Sequence, residues 1–201
     1  MRNPQIHQGR VLRARSDARA AFSASPREEL ALSAGVDFLH LVFLRKPAIR
    51  FQLPEPAVNS ISQWCEAYHY YFSLDDEGFC CVARRESLPY RLLEVDRRPV
   101  PHALELGQLL GYPRCCCRAI ASIGERNIDE RAVTAAGWNY EGEFRLINPA
   151  RYQQGCSLIC HLPCSSTCSY SLAIAKRALR VVTAYQKHAA FSAWSAWTAV
   201  L

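Results

Sequence analysis

Pro163 interrupts the most regular feature of this chain. In GCSLICHLPCSSTC, residues 155–168, cysteines fall at 156, 160, 164 and 168, a strict four-residue step. Four residues is close to one turn of α-helix, so an unbroken helix here would stack four thiols on one face. A proline in the middle of that helix removes a backbone hydrogen bond and clashes with the preceding turn. The run therefore divides in two. Cys156 and Cys160 belong to an approach segment and read as packing. Cys164 and Cys168 are expected to open a new helix, one turn apart on the same face.

A second segment has the same construction. GYPRCCC, residues 111–117, also places a proline just before cysteines and a helical pattern after them. Proline is tolerated in the first turn of a helix, where the missing N–H has no partner to lose. Cys115, Cys116, Cys117 and Cys164 are thus expected in first turns. Helix N-termini carry partial positive charge and unpaired N–H groups. Both favour thiolate over thiol, the form that binds metal or attacks a substrate. Two such ends facing each other would form a socket for a cation held by thiolates.

The ligand set read from this pattern is Cys115, Cys116, Cys164 and Cys168. His161, just ahead of Leu162 and Pro163, adds a nitrogen ligand or an acid–base group. Arg114 and Arg118 flank the first cysteines, where either can hold a small anionic substrate or simply be solvated; with His161, Arg114 is the catalytic candidate. Two cofactors fit. Adjacent helical residues point about 100° apart, which suits the separate irons of a [4Fe–4S] cluster. Zinc held by four thiolates, or by three and an imidazole, fits equally. The spacing is not that of a C-x2-C zinc ribbon. Buried free cysteines packed as small hydrophobes, or a metal-free thiol redox site, are the competing readings.

The two elements together, LGYPRCC followed by HLPCSSTC, resemble a poorly characterised archaeal and bacterial family with G-[YF]-P-x-C-C and H-x-P-C-S-x-x-C motifs. The likeness covers roughly residues 104–182. It singles out Gly111, Pro113, Cys115, Cys116, His161, Pro163, Cys164, Ser165 and Cys168, and leaves Cys117, Cys156 and Cys160 outside.

The rest of the chain predicts an α+β fold: an N-terminal helix, a small antiparallel sheet, and a helical C-terminal half bearing the Cys/His site. Ser25, Pro26 and Glu28 read as a capping box, followed by an apolar stripe from Leu30 to Val42 that Pro47 ends. AIRFQL alternates as a half-buried strand, LPEPAVNS reads as a loop, and YHYYFSLDDEGFCCVARR reads as a hairpin around Asp75–Gly78. YRLLEV and FRLI read as further strands. Cys80 and Cys81 then face opposite sides of the sheet as core filler, and Cys65 is structural. Leu172, Ala175, Leu179, Val182 and Tyr185 form the apolar stripe of the last helix.

Half of the 201 residues are hydrophobic, enough for a core without disulfides. No apolar targeting segment and no run of about eighteen apolar residues occurs, which predicts no transmembrane segment and a reducing, cytoplasmic setting. There, ten cysteines point to metal or catalysis before disulfides. The net charge of +6 is uneven. Residues 1–27 hold six arginines against Asp17, a balance of +5, which leaves 18 basic and 17 acidic groups in 28–201. The basic pI thus belongs to the N-terminal arm and gives no ground to infer a nucleic-acid-binding body. The expected organisation is a basic flexible arm over 1–25, touching phosphates only weakly or serving as a transit peptide, one α+β metal-binding domain over 26–190, and a Trp-containing extension over 191–201. Phosphate-binding G-x-x-x-x-G-K-[ST], dinucleotide G-x-G-x-x-G and hydrolase G-x-S-x-G motifs are absent. The functional expectation is a metal- or iron–sulfur-binding protein acting as an enzyme of redox or sulfur chemistry on a small molecule; the alternative is a non-catalytic binding or adaptor protein with a structural zinc. Nothing in the sequence sets the oligomeric state.

Overall fold

A computed structural model describes residues 15–99 and 101–194. Its architecture is α+β. Three strands, β1 (Ala48–Gln52), β2 (Tyr71–Leu74) and β3 (Phe79–Ala83), form an antiparallel sheet in the order β1-β3-β2. Asp75 makes the hairpin turn, its Oδ1 accepting the amides of Glu77 and Phe79 at 3.0 and 2.7 Å. Side chains alternate as a pleated sheet requires. Ile49 and Val82 face each other in the main core, while Ala48, Cys81 and Ala83 turn to the opposite face. Cys80 and Cys81 accordingly fill two different cores.

Helices cover both faces. Helix α2 (Ala34–Phe43), with α3 (Val58–Tyr68) and α8 (Ser169–Tyr185), builds the main core around Phe38, Leu41, Trp64 and Val182. On the other face, α4 (Ser87–Asp96) and α5 (Ala103–Leu109) supply Leu92, Leu93 and Leu106. Helix α6 (Arg114–Ile123) follows, then α7 (Ile128–Ala136). Gly111 ends α5 at φ +77°, and a Cβ there would fall 2.5 Å from Pro47 Cδ. The α5–α6 turn therefore packs directly on the connection from α2 to β1.

Several expectations need correction. The N-terminal helix is two pieces: Pro26–Glu29 is a 3-10 turn, and α2 begins only at Ala34. Ser25 does not cap; its hydroxyl donates back to Phe22 O at 2.7 Å. YRLLEV lies in α4, because Leu88, Leu92 and Val95 also repeat at helical spacing and Pro89 suits a first turn. FRLI lies in a 3-10 segment, Gly142–Ile147. The LPEPAVNS loop is a 3-10 turn running into α3.

The chain ends also differ from expectation. Arg15–Ser23, assigned from sequence to a flexible arm, is helix α1, with Ala21 and Phe22 wholly buried. Phe22 packs against Phe191 at 4.8 Å, and Phe191 and Trp194 of the Trp-containing extension are core residues. Residues 1–14 of the basic arm, and Trp197 and Leu201 of the extension, lie outside the described residues. Among the described residues, no helix is long and apolar enough to cross a membrane.

Candidate metal centre

Between Arg151 and α8 the chain carries no helix or strand, yet residues 157–160 are buried. A buried irregular segment must find partners for its backbone. It finds them in side chains: Trp194 Nε1 donates to Ser157 O at 3.0 Å, and His40 Nε2 lies 3.1 Å from Leu158 O. Ser157 Oγ accepts the Ile159 amide at 3.2 Å. Further on, Arg131 Nη2 donates to Cys164 O at 3.1 Å, its guanidinium lying 4.3 Å over the Trp138 ring. This segment delivers Cys164 and Cys168 to the head of α6.

There four thiols converge. The sulfurs of Cys115, Cys116, Cys164 and Cys168 all lie within 4.8 Å of one another. Cys115–Cys116, Cys115–Cys168 and Cys116–Cys168 are each 3.8 Å apart. Cys116 and Cys168 are buried, while Cys115 and Cys164 are half-buried. All ten cysteines are free thiols. Arg114 is the first residue of α6 after Pro113 at the N-cap, so Cys115 and Cys116 do lie in its first turn. Side chains on a helix lean toward its N-terminus. At the open end of α6 this lets two adjacent thiols approach without irregular backbone.

Cys164 does not open α8. Helix α8 starts at Ser169 with Cys168 at its N-cap. A turn closed by the Cys168 amide on Ser165 O at 3.3 Å brings the two cysteines together. Two helix N-termini, those of α6 and α8, still meet at the cluster.

The lowered thiol pKa expected at this centre is found at Cys168, while Cys164 and Cys116 shift the other way. Burial works against its thiolate, but the Ser171 hydroxyl and amide, with the thiols of Cys164 and Cys116, outweigh burial and bring it down to about 7. Cys164 is pushed up to about 11, by burial first and then by Cys168 and Cys115. Cys116 is also raised, by burial first, against the lowering hydrogen bond from Ser171. One thiolate forms readily; a second, 3.8 Å away, meets like charge in a poorly hydrated site. A bound cation reverses that balance for all four.

His161 is not in the sulfur group. Its Nε2 lies 2.8 Å from Ser171 Oγ, and that hydroxyl donates to Cys168 Sγ at 3.3 Å. The chain is consistent with an Nε2–H tautomer, in which each group donates to the next toward sulfur. Burial holds the His161 pKa below its usual value. Arg114 is exposed to solvent and Arg118 likewise. Cys117 is buried, with its thiol turned to Tyr112 O at 3.7 Å. Cys160 is buried in the core and Cys156 packs at its edge.

Sequence reasoning missed Ser171 and Arg131. The signal for Ser171 was present, since it lies one helical turn after Cys168; nothing local marks Arg131. A buried network behind the site was missed as well. Lys46 Nζ lies 2.8 Å from Asp37 Oδ1, and the Tyr152 hydroxyl donates to Asp37 Oδ2 at 2.7 Å. Burial alone opposes the Lys46 ammonium, but Asp37 outweighs it and holds the pKa well above the usual lysine value. Lys46 also lies 4.8 Å over the ring of Tyr112, which in turn is 5.4 Å from the His161 ring. Beside these rings opens a cleft of about 660 Å³, bordered by α5, α6 and α7. No protein-family model, no curated protein and no solved structure matches the chain, so the reading of this centre rests on its own geometry.

Proposed function

We propose that this is a metal-binding protein in which Cys115, Cys116, Cys164 and Cys168 hold a single zinc ion that fastens the fold. The observation that carries this reading is the 3.8 Å spacing of three sulfur pairs. Four thiolates bonded tetrahedrally to one zinc at about 2.3 Å stand about 3.8 Å apart. A [4Fe–4S] cluster binds each thiolate to a separate iron and spreads the sulfurs to about 6 Å. The group within 4.8 Å suits one ion far better than a cubane.

Four protein ligands leave no position for water or substrate, which is the pattern of a structural site. The structural role also meets a need of this fold. The irregular segment before α8 is long for a loop without structure of its own, and the ion would pin it to α6 and α8 together. His161 and Ser171 then support the centre by orienting a hydroxyl on Cys168, as hydrogen-bonded partners around metal ligands commonly do. The spacing gives no support to redox or sulfur chemistry at these thiolates, nor to His161 as a fifth ligand.

Metal analysis and zinc-edge X-ray absorption of protein purified without oxygen test this reading. The expected result is about one zinc per chain with four sulfur neighbours near 2.3 Å, and loss of that zinc in Cys168→Ser. A brown protein with iron and labile sulfide would overturn it in favour of the cluster. A metal-free folded protein, equally stable as Cys168→Ser, would overturn both.

A further inference from the structure

The cleft beside the metal centre goes beyond the metal reading. Its walls are apolar and come from three helices: Leu106 and Leu110 belong to the α5 side, Ile120 to α6, and Ile128, Ala132 and Ala136 to α7. The α7 residues recur every four positions, so a whole helix face is turned to this space instead of packing on α5 or α6. At about 660 Å³ the cleft lies within the range of small-molecule sites and far above a packing void.

The inner end is polar. Tyr112, Tyr152, Cys160 and His161 line it. Charge there is already neutralised. Behind the two tyrosines, Lys46 is paired with Asp37 at 2.8 Å. Arg50, at the edge of the cleft, is paired with Asp96 at 2.6 Å, and His102 approaches the same carboxylate at 3.8 Å. Of the other lining groups, Asp129 is exposed on α7, and Cys116, a ligand in the metal reading, borders the cleft with its charge shared with the ion. A charged ligand entering the inner end would lose its hydration and meet no unpaired counter-charge, a large cost. An uncharged one would exchange water for apolar walls and aromatic faces.

We propose that this cleft binds an uncharged, mainly apolar small molecule, its body between α5, α6 and α7 and a single hydrogen-bonding group against Tyr112 and His161. This ligand differs in charge and place from the small anionic substrate expected beside Arg114 and Arg118, neither of which lines the cleft.

The uncharged fluorophore N-phenyl-1-naphthylamine serves as the probe, titrated into the full, metal-loaded chain. Saturable binding at one site per chain is expected, weakened roughly tenfold or more in Ala132→Phe, where the added ring takes the ligand's space. Ala136→Phe is the second variant, used if circular dichroism shows the first misfolded. The anionic analogue anilinonaphthalene sulfonate should bind at least about tenfold more weakly to the unmodified chain. Absence of saturable binding, binding unaffected by the filled variants, or equal affinity for the anionic probe would each overturn the proposal. Zinc content, measured on every sample, keeps failure of the cleft distinct from failure of the metal reading.

Discussion

Acid should loosen the segment that leads to the metal centre, and one group through which it acts is His40. His40 is 3 % exposed in α2, with Nε2 3.1 Å from Leu158 O. Burial first, and the Lys46 charge second, bring its pKa from 6.5 down to about 4. In the unfolded chain it titrates near its ordinary value. Between those two values the unfolded chain binds more protons than the folded one, so folding stability rises with pH. His40 therefore contributes fully above pH 6.5, and the contribution is lost as pH falls to about 4. At about 1.4 kcal/mol per pH step, the gap amounts to about 3 kcal/mol, a sizeable share of a typical domain's stability. His40→Gln keeps an N–H aimed at Leu158 O and cannot take up a proton. Urea unfolding of both proteins across pH 4 to 7.5, read as the difference between them, cancels acid effects at the thiolates. The original chain should lose about 3 kcal/mol relative to the variant on going from neutral pH to 4. Parallel stability curves would refute the assignment to His40.

Two further pairs of substitutions test the packing that positions the centre. Lys46→Met leaves Asp37 buried with only the Tyr152 hydroxyl, and should cost about 3–5 kcal/mol in urea unfolding; adding Asp37→Asn should recover part of that loss. Gly111→Ala places a methyl group at φ +77° and 2.5 Å from Pro47 Cδ, and should destabilise by about 2 kcal/mol, whereas Gly137→Ala, at φ −87° with no neighbour closer than 3.6 Å, should be near neutral or mildly stabilising.

Pattern and punctuation carried the sequence-based reading some distance. The period-two alternation of AIRFQL and the Asp75–Gly78 turn led to β1 and the hairpin, because a half-buried strand and a tight turn each have local chemistry. The regular cysteine ladder separated at Pro163 for an equally local reason. Short apolar runs misled. YRLLEV is too short an apolar run for its pattern to separate helix from strand, and what decides is that its leucines bury against Cys81, Ala83 and Leu110 on the far face of the sheet. The arginine-rich start resembled a free arm because its charges outnumber Ala21 and Phe22; burial of those two between α2 and the Phe191–Trp194 turn is a contact between the two ends of the chain.

The same division runs through the site. Proline placement and residue chemistry, both local properties, sufficed to pair the Pro113 cysteines with the Pro163 cysteines across fifty residues of chain. How closely the four thiols approach one another, all within 4.8 Å, depends on where two helix ends and a loop are held. That was decided by partners remote in sequence: His40 on Leu158, Trp194 on Ser157, Arg131 on Cys164. The cleft, too, exists only because α7 stands off from α5 and α6. A periodic pattern states which face of a helix is apolar; only the tertiary structure decides whether that face meets another helix or an open space.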